Sequence, residues 1–356
     1  MKQWLALLCG FCLLLTGCSE REVQQSAASS SPPPVSQTEQ AESTEPPIDV
    51  TTEQPEGAED VSSVPKVYMT TDISPEGLIS VYEALDREAT GNVAVKISTG
   101  EEGSYYLRPE LIGSFVQSLN GTIVESNTAY SSRRASTALH LQLAQDRGYT
   151  DIAPVAILDA DGSLSLPIAQ GEHLTENLVG AGFVDYDFYV ILSHFKGHHM
   201  GGFGGAIKNM SVGIASAAGK CLIHSAGVSS TDRMLSVTPQ EDFQESMAES
   251  AKSVADALGE NILYINVMNN ISVDCDCQSY PDAPLIEDIG ILASTDPIAL
   301  DQACVDLVYQ AENSDALIER IESRLAHRAL EYGEKLGLGS RTYELISIPA
   351  ESVGTP

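Results

Sequence analysis

The sequence predicts an α/β protein, a largely parallel β-sheet flanked by helices. Three observations predict it. Short apolar runs rich in β-branched residues alternate along the chain with helical patterns. Several of these runs stay apolar at nearly every position, as strands covered on both faces do. From Val64 onward about 290 residues remain, enough to bury one large core, and they contain no internal repeat.

Taken in order, the first element is a leader. Lys2 precedes a twelve-residue apolar run, Trp4 to Leu15. A membrane-spanning helix needs about twenty apolar residues, so residues 1–17 read as a cleavable signal peptide. Leu15-Thr16-Gly17-Cys18 has the form of a lipobox, which makes Cys18 the lipidated first residue of an exported bacterial protein on the outer face of the cytoplasmic membrane. The alternative is an ordinary signal peptide in which the cysteine is incidental. Residues 18–64 are rich in Ser, Thr, Pro, Gln and Glu and hold too few apolar side chains to offset backbone ordering; they read as a disordered linker. This stretch holds ten acids against Arg21 and contributes -9 of the net -31; without it and Lys2, 40 acids face 17 bases. A domain that acidic repels nucleic acid and anionic lipid headgroups, so the partners expected are the membrane, through the lipid on Cys18, and a small-molecule or metal ligand.

Residues 65–356 form the large α/β domain. Val93–Thr99 is a strand, and Leu107–Gly121 a helix ended by Asn120-Gly121. Thr122–Ser126 follows as a strand and Ala135–Tyr149 as a helix with apolar residues three or four apart. Ala153–Gly162 and Ser163–Ala169 give two strands around a turn at Asp161-Gly162. Tyr186–Phe195 is a continuous apolar strand. Then come a glycine-rich segment, a helix over Glu241–Leu258, a strand at 261–268, a loop with two cysteines, a strand at 289–294 and a helix from Asp296 to about Tyr309. Asp296-Pro297 supplies the expected cap and first residue of that helix. The charged terminal stretch from residue 318 to 337 reads as a solvated helical pair.

The segment HFKGHHMGGFGGAIKN, His194 to Asn209, packs three histidines, two lysines and five glycines into sixteen residues. It begins at the carboxyl end of the apolar strand, where ligands of parallel sheets sit. Gly204 and Gly205, with Gly201 and Gly202, allow positive φ and close approach to a bound group. A helix over Ala206–Gly219 would aim free N–H groups at an anion, with Lys208 adding a cation and Asn209 an amide. His194, His198 and His199 are candidate metal ligands, or else residues of a turn that positions Lys196 and Lys208. Neither a nucleotide P-loop nor a zinc-protease spacing is present.

The cysteines form the second cluster. With Cys9 and Cys12 in the leader and Cys18 lipidated, Cys221, Cys275, Cys277 and Cys304 remain. Cys275 and Cys277 can chelate a soft metal such as zinc or iron, contribute to an iron–sulfur cluster, or form a redox-active disulfide; the bland alternative is a structural disulfide to Cys221. Asp274 and Asp276 raise the thiol pKa values but favour a cation. Cys304 reads as a buried small hydrophobe. Lys96 is either a site lysine or a snorkelling edge residue. Asn127 and Thr128 follow a strand and either reach the same crevice or form a turn. His224 is a further candidate ligand.

Val93 to Tyr343 resembles the bacterial and archaeal family catalogued as domain of unknown function 362. The residues that carry the resemblance are Lys96, Val124–Tyr130, Ser193–Gly213, Ile265–Cys277 and Ser294–Leu307. Many members of the family look like iron–sulfur proteins through an added ferredoxin-like insert, which this sequence lacks; the label transfers only if Cys275 and Cys277 ligate. The family's GGAIKN signature maps onto Gly204, Gly205, Lys208 and Asn209. The expectation is a membrane-anchored extracytoplasmic lipoprotein that is either a metal- or iron–sulfur-dependent redox protein, with Lys96, Lys208 and Asn209 as catalytic residues, or a non-catalytic protein that binds a small anion or metal.

Overall fold

The computed structural model describes residues 64–349; Cys18, the leader and the linker up to residue 63 lie outside the described residues. In chain order the elements are β1 (Lys66–Thr70), α1 (Pro75–Glu83), β2 (Val93–Lys96), α2 (Pro109–Ser118), β3 (Thr122–Glu125), α3 (Thr137–Asp146), α4 (Tyr149–Ile152) and β4 (Val155–Ile157). The hairpin β5 (Ser163–Pro167) and β6 (Glu176–Gly180) leads to β7 (Phe188–His194), β8 (Lys196–His198) and β9 (Gly202–Gly204). Next are α5 (Ala206–Met210), α6 (Ala217–His224), α7 (Gln240–Leu258), β10 (Ile262–Met268) and β11 (Gly290–Ser294). The chain continues through α8 (Pro297–Gln310), α9 (Asp315–Ser323), α10 (His327–Lys335) and β12 (Glu344–Ser347).

Alternate residues of a strand face opposite ways, and here both faces are apolar. Val93, Val95, Phe188, Val190, Leu192, Leu263 and Ile265 pack on one side, against Leu78 and Val81 of α1 and Ile112, Phe115 and Val116 of α2. Ala94, Tyr189, Ile191, Tyr264 and Met268 pack on the other, against helices that include α5, α7 and α8. The result is a three-layer sandwich with a core on each face of the sheet.

Eight strands run in the order β12-β1-β11-β10-β7-β2-β3-β4. Every neighbouring pair is parallel except the two that involve β11. The sheet is largely parallel, as the sequence predicts. β11 is reversed; it follows β10 through residues 269–289, which contain no helix of the kind that usually carries a parallel crossover.

Two helical expectations change. The helix expected over residues 206–219 is two short helices, α5 and α6. Between them Gly213 sits where a Cβ would come within 2.1 Å of the Asn209 carbonyl oxygen, and Ser216 restarts the helix by accepting from the Gly219 N–H at 3.2 Å. The terminal pair is not simply solvated: Leu317, Ile321, Leu330 and Tyr332 are buried. Tyr332 also donates to Glu249 at 2.9 Å, tying α10 to α7.

The chain moves from β2 outward through β3 to β4, then returns at β7 on the other side of β2. That border is a topological switch point, and its carboxyl end is where a doubly wound sheet places its ligand crevice. Among the described residues no helix is long and apolar enough to cross a membrane.

Candidate functional site: a cationic crevice at the switch point

Asn209 closes the split between β2 and β7. Its Nδ2 donates to the carbonyls of Lys96 (3.1 Å) and Leu192 (3.2 Å) and to Ser193 Oγ (3.1 Å), and its Oδ1 accepts from Lys96 Nζ at 3.0 Å. Lys96 is 1% exposed and is no edge residue. Its ammonium donates to Glu125 Oε2 at 3.1 Å and to its neighbour's carbonyl at 2.6 Å, so all three protons are used. Glu125 ends β3 and accepts in turn from the Thr99 N–H (2.8 Å), Thr99 Oγ1 (3.1 Å) and Arg134 Nη2 (2.8 Å). Burial pushes the Glu125 carboxyl up, but Lys96 and Arg134 pull it well below the usual carboxylate range. Lys96 and Asn209 thus hold the crevice floor together, with their polar capacity spent on protein partners.

A second charged knot joins the histidine loop to the cysteine loop. His194 ends β7, which pairs with β10 in parallel, Val267 opposite His194. Its Nδ1 faces Asp276 Oδ2 at 3.0 Å and its Nε2 the Asn269 carbonyl at 2.6 Å. Both ring nitrogens are engaged by protein oxygens, which leaves neither facing the crevice as a free metal ligand. Lys196 binds the same Asp276 oxygen. Burial raises the Asp276 carboxyl, yet Lys196 and His194 outweigh it and hold the group ionised. Tyr130 donates to Glu101 at 2.9 Å and to the Cys277 carbonyl at 3.1 Å, fixing the cysteine loop from the opposite wall.

The glycine-rich stretch folds as the tight hairpin β8–β9. Gly197 permits the cysteine loop to lie against it, since a Cβ there would meet the Val273 carbonyl oxygen at 2.1 Å. Gly205 is required by Asp301, whose Oδ1 would lie 2.3 Å from an added Cβ. The anion expected at the start of α5 is this carboxylate: Ala206 N and Ile207 N donate to Asp301 at 2.8 and 2.9 Å. The sequence expectation of free helix N–H groups for a ligand is therefore corrected. They are occupied from within the chain.

Above this floor the cations outnumber the acids, and Lys208, Lys220 and Arg233 form no ion pair among the described residues. Six basic side chains (Lys96, Arg134, Lys196, Lys208, Lys220 and Arg233) and two carboxylates (Glu125 and Asp276) line one crevice of about 130 Å³. A single water needs roughly 10–15 Å³, so the space suits a small organic or inorganic ion. Burial brings Lys208 down to about 7, and Lys196, Arg134, Lys96 and Lys220 push the same way. Burial also brings Lys220 down to about 7. Its ammonium rests on the Ala215 carbonyl.

His198, His199 and His224 are neutral. Burial and Lys208 hold His198 well below the usual range, and its Nδ1 accepts the N–H groups of Met200 (3.2 Å) and Gly201 (2.8 Å), placing its proton on Nε2. His199 is exposed and packs on the His198 ring at 4.7 Å. His224 has the opposite tautomer. It donates Nδ1–H to the Lys220 carbonyl at 2.6 Å, and burial lowers it to about 3.

Cys275 and Cys277 are bonded to each other, while Cys221 and Cys304 are free and buried. The bland expectation of a bridge to Cys221 is thus not what forms. Among the described residues the one grouping suited to a metal is His198, Cys275 and Cys277, whose ligand atoms lie within 4.8 Å of one another. An iron–sulfur cluster wants four thiolates, and only two approach here. A bonded pair offers none, and His198 presents an N–H rather than the lone pair a ligand needs. In this state the residues do not fit a zinc, iron or iron–sulfur group.

The crevice brings together Lys96, Thr128, His194, His198, His199, Gly204, Gly205, Lys208, Asn209, Cys275 and Cys277. Asn127 is not on its wall; its N–H and Nδ2 donate to Asp159 and Thr137. Sequence reading did not single out Glu125, Arg134, Lys220 or Arg233. Glu125 closes a four-residue buried strand, a position where an acid needs a cation. That mismatch is the one available signal.

A family model, Domain of unknown function (DUF362), matches residues 93–306. The chain belongs to that family. No curated protein matches it. Among solved structures it is similar to the lactate racemase apoprotein from Thermoanaerobacterium thermosaccharolyticum, at 18% identity and a TM-score of 0.36, over 56% of this chain and 50% of that one. It is also similar to a Thermotoga maritima protein, at 14% identity and a TM-score of 0.40, over 66% of this chain and 58% of that one. The chain thus spans about half to three-fifths of the length of these neighbours.

Proposed function

We propose that the protein captures a small anionic molecule in this crevice, on the outer face of the cytoplasmic membrane, where a lipid on Cys18 anchors it. One observation carries the ligand class: six of the domain's 17 bases line a single small cavity of a chain whose net charge is -31. Glu125 and Asp276 offset Lys96, Arg134 and Lys196, which leaves Lys208, Lys220 and Arg233 with no ion pair among the described residues, an excess of positive charge that an anion would compensate. Lys208 and Lys220 are its direct contacts; Lys96 and Asn209 hold the walls. The expected result in calorimetry is saturable one-to-one binding of inorganic phosphate or a small dicarboxylate, weakened roughly tenfold or more by Lys208→Gln, since a hydrogen bond to a charged group contributes about 1.5–3 kcal/mol. Absence of saturable binding across such a panel would sink the reading.

The anchor is tested separately. Cys18→Ser should leave the precursor unprocessed by the lipoprotein peptidase or release the protein from membranes. Normal processing with detergent-only solubility would count against a lipid on Cys18.

A second reading rests on the approach of His198 to Cys275 and Cys277, which is compatible with a metal-related role. It requires the pair reduced and the His198 proton moved to Nδ1. Zinc or iron bound stoichiometrically after anaerobic purification, and absent in Cys275→Ser/Cys277→Ser, would favour it.

A further inference from the structure

We infer that the Cys275–Cys277 disulfide is a thiol–disulfide exchange centre whose partner is a small thiol carrying carboxylates, attacked at Cys277 with Cys275 as the leaving sulfur. The choice of partner rests on the anion-binding reading; the exchange step does not.

The two sulfurs are not equivalent. Cys275 is 5% exposed, whereas Cys277 is only half-buried, and both lie on the crevice wall. An incoming thiolate therefore meets Cys277 first. The leaving side is prepared: the Cys277 backbone N–H points at Cys275 Sγ at 3.1 Å. Donors aimed at the place where negative charge develops stabilise it there. The acids that flank the pair do not oppose that charge. Asp276 is paired with Lys196 and His194, and Asp274 with Arg320 at 3.3 Å. The loop is also held still, by Tyr130 on the Cys277 carbonyl and by the Glu101 N–H on the Asp276 carbonyl at 2.6 Å.

The chemistry balances without a metal. The partner's thiolate sulfur bonds to Cys277 Sγ as the Cys275–Cys277 bond breaks, and the electron pair leaves on Cys275. A second thiolate attacks the partner sulfur of this mixed disulfide and releases Cys277. Two thiols are oxidised to one disulfide, and the protein pair is reduced and takes up two protons. The surrounding cations select the partner. In bulk the acidic chain repels an anionic thiol, so a preference for one has to come from the crevice.

The exchange step is tested with single-cysteine variants and the disulfide of mercaptosuccinate, the mixed disulfide being located by peptide mass spectrometry. Cys275→Ser should form it on Cys277, and Cys277→Ser should react at least about tenfold more slowly, as a buried thiol does. Equal rates, or faster reaction at Cys275, would overturn the assignment. Partner choice is tested on the wild-type protein by comparing reduction by mercaptosuccinate and by cysteamine, each rate corrected for thiolate fraction. The anionic thiol should be faster by about tenfold or more, with inorganic phosphate slowing it and leaving cysteamine unaffected. Exchange at Cys277 with equal rates for the two thiols would overturn the anionic partner while the exchange step stands. Phosphate binding without any exchange would overturn the exchange step and leave the anion-binding reading intact.

Discussion

Glu125→Ala is expected to destabilise the fold by about 3–5 kcal/mol, the cost of removing one partner from a buried ion pair. Lys96 and Glu125 are 1% and 2% exposed, and Arg134 shares the same carboxylate. The truncation leaves two buried cations facing each other and removes acceptors from Lys96, Thr99 and Arg134. Neither cation can leave: Lys96 is pinned by Asn209, and Arg134 sits behind Glu101 at 3.5 Å. The native carboxyl is held well below its unfolded value, so its stabilising contribution is present above about pH 4.3 and is lost as pH falls through the lower folded value. Urea unfolding at pH 7 measures the loss, and the difference between variant and wild type should shrink in strong acid. A change below about 1 kcal/mol at pH 7 would mean the pair is solvated and does not hold β2 and β3 together.

Much of the layering was legible because β7 and β10 are apolar at almost every position, which only a strand covered on both faces tolerates. The approach of the histidine and cysteine loops follows from the same strands: both loops leave parallel neighbours at one edge of the sheet. What sequence could not show is pairing between distant polar groups. Asp301 sits inside an apolar helix 95 residues from the Ala206 N–H it accepts, and no local pattern distinguishes it from a solvated acid. Lys96 was noticed as a lysine in an apolar strand, but its partners lie 29 and 113 residues away. The three loop histidines looked alike by spacing. Their roles diverge only through backbone groups: His194 faces the Asn269 carbonyl, His198 faces two N–H groups, and His199 faces solvent. The edge strand β12 and its neighbour β1 went unread because each is short and only partly apolar, and they pair with each other across nearly the whole domain.

Anion affinity should fall steeply above pH 7 and be accompanied by proton uptake. Lys208 and Lys220 both lie at about 7 in the empty crevice, so above that pH they are largely neutral and must be protonated to meet an anion. Each amine that takes up a proton on binding costs about tenfold in affinity per pH unit, so two cost up to about a hundredfold between pH 7.5 and 8.5. The neighbouring groups do not mask this. His198 and His224 stay neutral across the range, and Arg134 stays charged. Lys196 is matched by Asp276. Calorimetry of phosphate binding at pH 8 in buffers of different ionisation enthalpy should show uptake approaching two protons, and Lys208→Gln should remove about one. The linkage has an opposite sign without ligand. A lysine whose folded pKa lies below its unfolded value of about 10.4 binds fewer protons in the native state, so stability from this source rises with pH above 7. The ligand-free protein should therefore gain thermal stability between pH 7 and 9, while saturating phosphate should stabilise most at the lower end. Affinity that stays flat from pH 6 to 9 with no proton exchange would show that these amines do not contact the anion.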